Sequence, residues 1–306
     1  MAHHKIMLFG AGGQIGQTIQ HLASQNQAPV GWEIGFFSRK DCDITDPAAL
    51  RNAILSFAPD MIINAAAITN VDEAEKNRDM AEAVNFRAVA QMAAHCSAMD
   101  IPMIHLSTDY VFDGRENTPY REDAAMNPIN IYGATKMMAE ESLRHELAWH
   151  VILRISSVFG PFGHNILTKA LEKIEREDEL RFVTDIVSAP TAALDVVRTI
   201  CAVGAQVLAG KAGGYGTFHY CGTPACSRYD FINAVMERYA PYTARRPKIT
   251  ATVCAEFIDS APRPAYSILD CQKIRTVYGL PQPLWQAGLD EALRLLAIPG
   301  RIPHTL

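Results

Sequence analysis

Tyr132 and Lys136 are the residues whose types and spacing point most directly to chemistry. They lie four positions apart, which places both side chains on one face of a helix. A tyrosine with its ordinary pKa of about 10 is a poor acid–base catalyst at neutral pH. A neighbouring ammonium group favours the phenolate and lowers that pKa. The pair therefore predicts proton transfer to or from an oxygen, with Tyr132 as the acid–base and Lys136 as its helper.

A glycine-rich turn occupies residues 10–16, where the sequence reads Gly-Ala-Gly-Gly-Gln-Ile-Gly. It follows a short apolar run typical of a buried strand, and it opens a segment with helical periodicity. Gly10 permits a tight turn, Gly13 lets the backbone approach a diphosphate, and Gly16 lets the helix pack close to the strand. Because helix N-termini bind anions, the turn predicts a dinucleotide site.

Two hydroxyl side chains follow the predicted fourth strand. Ser107 and Thr108 lie in the segment Leu-Ser-Thr-Asp at 106–109. In parallel α/β sheets, ligands bind at the carboxyl ends of the strands. The hydroxyl of Thr108 or of Ser107 is therefore predicted to hold the substrate oxygen. Together with the glycine turn and the Tyr-Lys pair, this segment predicts a redox enzyme.

The end of the second strand bears on the choice between NADH and NADPH. It reads Phe37-Ser38-Arg39-Lys40, with no acidic residue before Asp41. An acid here would bind the ribose 2′-hydroxyl of NADH, whereas a guanidinium group suits the 2′-phosphate of NADPH. Arg39 therefore favours NADPH. NADH stays an alternative, because a solvated basic pair on the surface has the same sequence.

The order of elements predicts a doubly wound, parallel, Rossmann-type α/β sheet with a smaller, irregular C-terminal substrate domain. Apolar runs predict strands at 5–9, 32–38, 61–66, 103–107, 150–156 and 217–221. Helical periodicity and helix-start signals predict helices at 15–24, 46–57, 78–99, 133–146, 165–177, 192–203 and 228–239. We assign residues 1–160 plus about 187–222 to the dinucleotide-binding domain. Residues from about 161 to 186 plus 223–306 form the substrate domain.

The composition argues against a nucleic acid or a membrane as a binding partner. A net charge of −5 and a pI near 6.1 argue against a nucleic acid partner, which requires a basic face. The N-terminus has no signal-peptide core, and the chain has no apolar run of about 18 residues. The seven cysteines include no CxxC pair, which is typical of reduced thiols in a cytoplasmic protein.

Longer segments resemble the dTDP-4-dehydrorhamnose reductase family of the extended short-chain dehydrogenase/reductases. The resemblance covers essentially the whole chain, and its most specific segment is Leu-Ser-Thr-Asp-Tyr-Val-Phe-Asp-Gly at 106–114. The other matching positions are 43–46, 64–72, 74–75, 84–85, 120–123, 189–191, 227–231, 263–264, 267 and 269–270. It implies reduction of the 4-keto group of dTDP-6-deoxy-L-lyxo-4-hexulose to give dTDP-L-rhamnose, with NADPH or NADH.

The resemblance also implies a role for each matching residue. Tyr132 is the expected proton donor, Lys136 lowers its pKa and binds the nicotinamide ribose, and Thr108 polarises the carbonyl. The expected cofactor cleft comprises Gly10, Gly13, Gln14, Ile15, Gly16, Arg39, Asp43, Ile44, Ala66, Ala67, Ile68 and Thr69. The expected substrate contacts are Thr108, Asp109, Val71 and Ser157.

Arg263 is our sequence-based candidate for the diphosphate of the substrate. The glycine turn serves the cofactor, so a cation from the second domain must meet the other diphosphate. Arg263 lies between Pro262 and Pro264, which restrict the backbone, and its guanidinium suits paired phosphate oxygens. A solvated arginine in a proline loop is the alternative.

Three positions depart from the family pattern. Ser157 stands where the family has a tryptophan that contacts the sugar, and Ile186 stands where it has glutamine. Thr18 stands at a position where some members carry a magnesium-binding glutamate, so no metal is predicted. Two other functions stay open: a reductase of another nucleotide-linked ketosugar, and an NADP-binding regulatory subunit similar to that of methionine adenosyltransferase. A homodimer is also left open.

Overall fold

The first half of the chain alternates strands and helices, as the sequence predicts. The computed structural model describes residues 3–211, 213–257 and 261–297. Its first elements are β1 (His4–Phe9), α1 (Gln14–Ser24), β2 (Trp32–Phe37), α2 (Pro47–Phe57), β3 (Met61–Asn64), α3 (Val71–Lys76), α4 (Arg78–Glu82), α5 (Ala88–Met99), β4 (Met103–Thr108), α6 (Ile131–Glu146) and β5 (His150–Ile155). A π-helical turn at Ala83–Arg87 joins α4 to α5, so the helix predicted at 78–99 is interrupted.

The second half is more regular than the sequence predicts. Its elements are β6 (Val158–Phe159), α7 (Ile166–Arg176), β7 (Glu179–Val183), β8 (Val187–Ser188), β9 (Thr191–Ala192), α8 (Ala193–Leu208), β10 (Gly216–Tyr220), β11 (Cys226–Ser227), α9 (Arg228–Tyr239), β12 (Lys248–Thr252), α10 (Gln272–Tyr278) and α11 (Trp285–Leu296). The sequence analysis missed β7, β12, α10 and α11. The first two of these form a parallel pair of their own.

The central sheet has six parallel strands in the order β10-β5-β4-β3-β1-β2. Neighbouring residues of β1 point to opposite faces, as the strand geometry requires. Ile6 and Leu8 enter a core shared with α1 and α8, whereas Met7 and Phe9 enter a core shared with α2, α5 and α6. Helices therefore cover both faces, and the predicted doubly wound fold is confirmed.

A separate apolar core holds the second half together. It is built from α7, β7, α9 and α11, with Phe231, Trp285 and Leu289 among its buried side chains. Ile274 and Tyr278 of α10, by contrast, pack into a core of the central sheet. The proposed division into two domains stays a prediction, and α10, which falls in the predicted substrate domain, packs against the central sheet.

Within the described ranges, no helix is long and apolar enough to cross a membrane.

The fold brings several predicted site residues to one edge of the sheet. Gly10 follows β1, Asn64 ends β3 and Thr108 ends β4, and these strands are parallel neighbours. Their carboxyl ends therefore meet at the same edge. Tyr132 and Lys136 lie in the first two turns of α6, which packs on that part of the sheet.

Candidate active site

The glycine turn is shaped by close backbone approaches. Gly10 has a φ of +87°, and an added Cβ would lie 2.6 Å from the backbone at Ala65 and Ala66. A Cβ on Gly16 would lie 2.4 Å from the carbonyl oxygen of Gly10. Both positions therefore require glycine.

The N-terminus of α1 is open to an anion. Gly13 is its N-cap, no side chain caps the helix, and the first turn has no acidic residue. An added Cβ on Gly12 would meet nothing within 4 Å. Free amides at a helix start with open space beside them fit a dinucleotide diphosphate.

Gln14 and Ile15 face different surroundings at this turn. Ile15 packs its side chain into the core of the sheet, so only its backbone remains for a cofactor. The buried side-chain Nε2 of Gln14 has no hydrogen-bond partner among the described residues. It lies near Gly160, where an added Cβ would be 3.3 Å away. Nε2 is therefore a donor available to a bound group.

Arg39 lies at the surface beside the end of β2. Its side chain is 76% exposed, and its Nε lies 3.5 Å from Oδ2 of Asp43. Hydrogen bonds from Thr45, followed by the charge of Arg39, lower the pKa of Asp43. Ile44 is buried. Arg39 is thus a solvated residue with one carboxylate partner, which fits both alternatives drawn from the sequence.

The loop after β3 is held from the π-helical turn. Asn85 accepts from the backbone N–H of Ile68 at 2.8 Å and donates back to the Ile68 carbonyl at 3.0 Å. It also donates to Oγ1 of Thr135 in α6 at 3.2 Å. Ala67 is half-buried and Thr69 is exposed. The loop is therefore fixed beside α6, although sequence reasoning did not identify Asn85 as its anchor.

Lys136 is almost fully buried, with 2% of its surface exposed. Its Nζ donates to the carbonyl oxygen of Leu106 at 2.6 Å and lies 3.0 Å from Nε2 of His105. Burial lowers the pKa of Lys136 to about 7, against the opposing charge of Glu140. The amine thus changes charge near neutral pH.

The hydrogen bonds around His105 define the direction of this chain of contacts. Asn64 accepts from the N–H of Ala66 through Oδ1, so its Nδ2 faces Nδ1 of His105 at 3.2 Å. Burial holds the pKa of His105 well below its usual value, so the ring is neutral. Because Nδ1 accepts, the ring proton lies on Nε2 and points at Lys136. Lys136 therefore accepts from His105 as a neutral amine and donates to Leu106.

Tyr132 lies in the first turn of α6, which is capped by Asn130. The Oδ1 of Asn130 accepts from the N–H of Gly133 at 2.7 Å. Burial raises the pKa of Tyr132, against a hydrogen bond with Thr108. Lys136 bonds to His105 and Leu106 of β4 in this structure, and burial dominates the pKa of Tyr132, so the effect of Lys136 on that pKa stays a prediction.

Thr108 lies between Tyr132 and Asp109. Its Oγ1 donates to Oδ1 of Asp109 at 3.0 Å and accepts from the N–H of Tyr110 at 3.1 Å. Burial raises the pKa of Asp109, and hydroxyl groups including that of Ser156 oppose this. The Ser156 Oγ donates to Oδ2 of Asp109 at 2.8 Å. The structure therefore brings together the hydroxyls of Thr108 and Tyr132.

Ser107, the alternative to Thr108, is committed elsewhere. Its hydroxyl donates to Glu140, a fully buried carboxylate one turn beyond Lys136. Glu140 also accepts from Arg154 at 2.7 Å and from Arg144 at 2.6 Å. Sequence reasoning missed this network. Its signals were the acid four positions after Lys136 and an arginine inside the apolar strand β5.

Arg263 is not free in the structure. It is 14% exposed, and its Nη2 donates to Oδ2 of Asp72 at 2.8 Å. Its Nη1 donates to the carbonyl of Ala261 at 2.9 Å. The backbone N–H of Ala261 completes the pairing by donating to Oδ1 of Asp72 at 2.9 Å. The structure therefore places Arg263 in a link between the proline loop and α3.

Ser157 and Val71 lie at two further margins of the site. Ser157 follows β5 with a φ of +44°, and its Oγ donates to Oγ of Ser188 at 2.7 Å. Val71 is the half-buried first residue of α3. Thr18 is buried in α1, where its hydroxyl donates to the Gln14 carbonyl.

Known proteins match this chain over nearly its full length. The model of a family described as the RmlD substrate binding domain matches residues 4–298. A dTDP-4-dehydrorhamnose reductase from Aggregatibacter actinomycetemcomitans is 32% identical over 287 residues, covering 93% of this chain and 97% of that protein.

Two solved structures are similar over the same length. A dTDP-4-dehydrorhamnose reductase from Clostridium acetobutylicum has a TM-score of 0.88 at 30% identity, covering 96% of this chain and 100% of that one. One from Bacillus anthracis, in complex with NADP, has a TM-score of 0.87 at 29% identity, covering 96% and 99%. With a family model and relatives that both span nearly all of its length, the chain belongs to the dTDP-4-dehydrorhamnose reductase family.

Proposed function

We propose that the protein is an NADPH-dependent reductase of the 4-keto group of a dTDP-linked deoxyhexulose, giving dTDP-L-rhamnose. The observation that carries this proposal is the meeting of the Tyr132 and Thr108 hydroxyls at the sheet edge that also holds the glycine turn. The names of the relatives supply the substrate class, since they are dTDP-4-dehydrorhamnose reductases.

The residues of the glycine turn fit the cofactor. The backbone amides of Gln14 and Ile15 and the Nε2 of Gln14 would hold the diphosphate, since the Gly13 amide donates to the Gly10 carbonyl, and Arg39 would meet the 2′-phosphate. When bound, NADPH supplies the hydride. The complex of the Bacillus anthracis relative with NADP supports this choice. NADH is the alternative, because Arg39 is exposed and already pairs with Asp43.

The chain's own residues supply the proton. Because burial raises the pKa of Tyr132, the phenol is protonated at neutral pH and can donate. As the carbonyl carbon gains hydride, its oxygen takes the phenol proton, and the ketone becomes an alcohol. Thr108 lies beside Tyr132 and can hold the carbonyl oxygen by redirecting the proton that it now donates to Asp109.

Lys136 is proposed to support the phenolate that this transfer leaves. Its pKa of about 7 allows the amine to gain a proton near neutral pH. The positive charge of a protonated Lys136 would stabilise that phenolate through space, although its Nζ contacts His105 and Leu106 in this structure. The ribose contact that the family implies for Lys136 stays part of the proposal.

The test is a coupled assay and product analysis. Purified protein is mixed with NADPH and dTDP-6-deoxy-L-lyxo-4-hexulose, and NADPH oxidation and the sugar product are followed. We expect one dTDP-L-rhamnose for each NADPH consumed. Binding of NADPH without turnover on any nucleotide-linked 4-ketosugar would favour the regulatory subunit instead.

A second function keeps the reaction and changes the sugar. The observation that favours it is Ser157, whose small side chain bonds to Ser188 where the resemblance leads us to expect a tryptophan. A panel of 4-ketosugars with different nucleotides, assayed with wild type and Ser157→Trp, separates the two functions. If the dTDP-L-rhamnose reaction is native, Ser157→Trp keeps dTDP-6-deoxy-L-lyxo-4-hexulose as the best substrate.

We place the reaction in the cytoplasm, since the described cysteines are free thiols.

A further inference from the structure

Tyr110 is a second tyrosine fixed beside the proposed proton donor. Its ring meets the Tyr132 ring edge-on, with centroids 5.9 Å apart and an interplanar angle of 71°. Its carbonyl oxygen packs against Gly133, where an added Cβ would lie only 2.1 Å away. The Tyr110 ring therefore borders the site on a rigid backbone.

Arg228 reaches this ring from the other half of the chain. It is the first residue of α9, and its Nη2 donates to the Tyr110 hydroxyl at 3.3 Å. The nearest acid in that turn, Asp230, accepts instead from the N–H and hydroxyl of Ser227. Among the described residues, no carboxylate pairs with Arg228. Arg228 is half-buried and donates to a neutral phenol, so this contact leaves the charge of the guanidinium uncompensated.

Arg263 offers a direct contrast in the same neighbourhood. Both guanidinium groups lower the pKa of Tyr110, although burial raises it more. Arg263, however, is already paired with the carboxylate of Asp72. Both arginines therefore lie near Tyr110. Arg263 has a carboxylate partner, whereas Arg228 has none among the described residues.

We propose that Arg228 binds the diphosphate of the nucleotide-sugar substrate. This inference rests on the proposed function and replaces Arg263 as the contact for that group. When the carbonyl of the ketosugar meets Tyr132 and Thr108, the diphosphate lies on the opposite side of the sugar ring. Tyr110 is the aromatic side chain next to Tyr132, and Arg228 contacts its hydroxyl. The guanidinium fork matches phosphate oxygens, and each such bond is charge-assisted.

The test measures binding of thymidine diphosphate by calorimetry, and it requires no turnover. Arg228→Gln should weaken thymidine diphosphate about ten- to hundredfold, with thymidine and NADPH affinities unchanged. Arg228→Lys should restore part of the loss. In the reductase assay, Arg228→Gln should raise KM for the sugar more than it lowers kcat.

Arg263→Gln is the matched control, because it removes the same charge from the same neighbourhood. It should lower thermal stability, since Asp72 loses its partner, while thymidine diphosphate binds as in wild type. Unchanged binding by Arg228→Gln, loss of binding only in Arg263→Gln, or no binding by wild type would each overturn the proposal. If wild type binds thymidine diphosphate through Arg228 yet reduces no ketosugar, the proposed function fails and the diphosphate contact stands.

Discussion

Two sides of the candidate site are built differently. On the sheet side, Asn64, His105 and Lys136 are buried, and each has its hydrogen bonds satisfied within the protein. On the substrate side, Arg228 is half-buried and pairs with a phenol, and Ser157 bonds to another small hydroxyl. The first side is fixed by the packing of the core, whereas the second is free to meet a ligand.

We propose that the sheet side determines the reaction and that the substrate side determines which substrate binds. A substitution on the sheet side disturbs a buried polar network and therefore acts on the chemistry and on stability together. We expect a substitution on the substrate side to change which ligand binds, because few contacts within the protein depend on these side chains. The family pattern matches at the Tyr-Lys pair and departs at Ser157, which follows the same division.

The two neighbouring tyrosines should show the largest contrast. Tyr132→Phe removes the proposed proton donor and keeps the ring, so kcat should fall by about a hundred- to ten-thousandfold while NADPH binds normally. Tyr110→Phe is the control on the substrate side, where the hydroxyl contacts Arg228. We expect it to affect KM and to leave most of kcat. Similar losses of kcat in both variants would remove the distinction between the sides.

Lys136 should make stability depend on pH. In the folded protein its pKa is about 7, and in the unfolded chain it is about 10.4. Between these values the unfolded state binds the extra proton, so the free energy of unfolding rises with pH by as much as about 1.4 kcal/mol per unit. Lys136→Met lacks this contribution.

Urea unfolding of wild type and Lys136→Met from pH 6 to pH 10 measures the effect. The stability of wild type relative to the variant should be lowest below about pH 7 and should increase towards pH 10. Parallel curves for the two proteins would mean that Lys136 titrates normally and that the sheet side does not hold a neutral amine. Lys169→Met serves as the control, because it removes an exposed lysine from another helix, α7.

Arg39 should give the smallest effect, since it is exposed. Arg39→Ala should weaken NADPH about five- to tenfold and leave NADH unchanged, because only NADPH carries the 2′-phosphate. The neighbouring Lys40→Ala is the matched control. Equal losses for the two cofactors would identify Arg39 as a surface residue and leave the cofactor preference to other groups.

Local sequence signals predicted where several helices begin and how strands and helices alternate. Asp46 caps α2 and Ser227 caps α9, as their types and positions indicate. The alternation of apolar strands with periodic helices gave the parallel sheet. The sequence analysis missed α11, although Trp285, Leu289 and Leu293 have helical spacing, because it expected an irregular C-terminal domain.

Long-range partners are what the sequence could not supply. Lys136 was expected to act on Tyr132, but folding places it against His105 and Leu106 of β4. Arg263 was chosen for its prolines, yet its charge is satisfied by Asp72, 191 positions away. Arg228 was not singled out, because its proximity to Tyr110 exists only in the folded chain. The spacing of residues along a helix is a local property of the sequence. These contacts form between distant segments, so the spacing could not predict them.

The transfer of hydrogen itself tests the central claim most directly. NADPH labelled with deuterium at the transferable position is mixed with dTDP-6-deoxy-L-lyxo-4-hexulose, and the nucleotide sugar is analysed by mass spectrometry and NMR. We predict one deuterium on carbon 4 and a new hydroxyl there, formed by wild type and almost absent with Tyr132→Phe. A product without deuterium, or equal rates for the two proteins, would contradict the account.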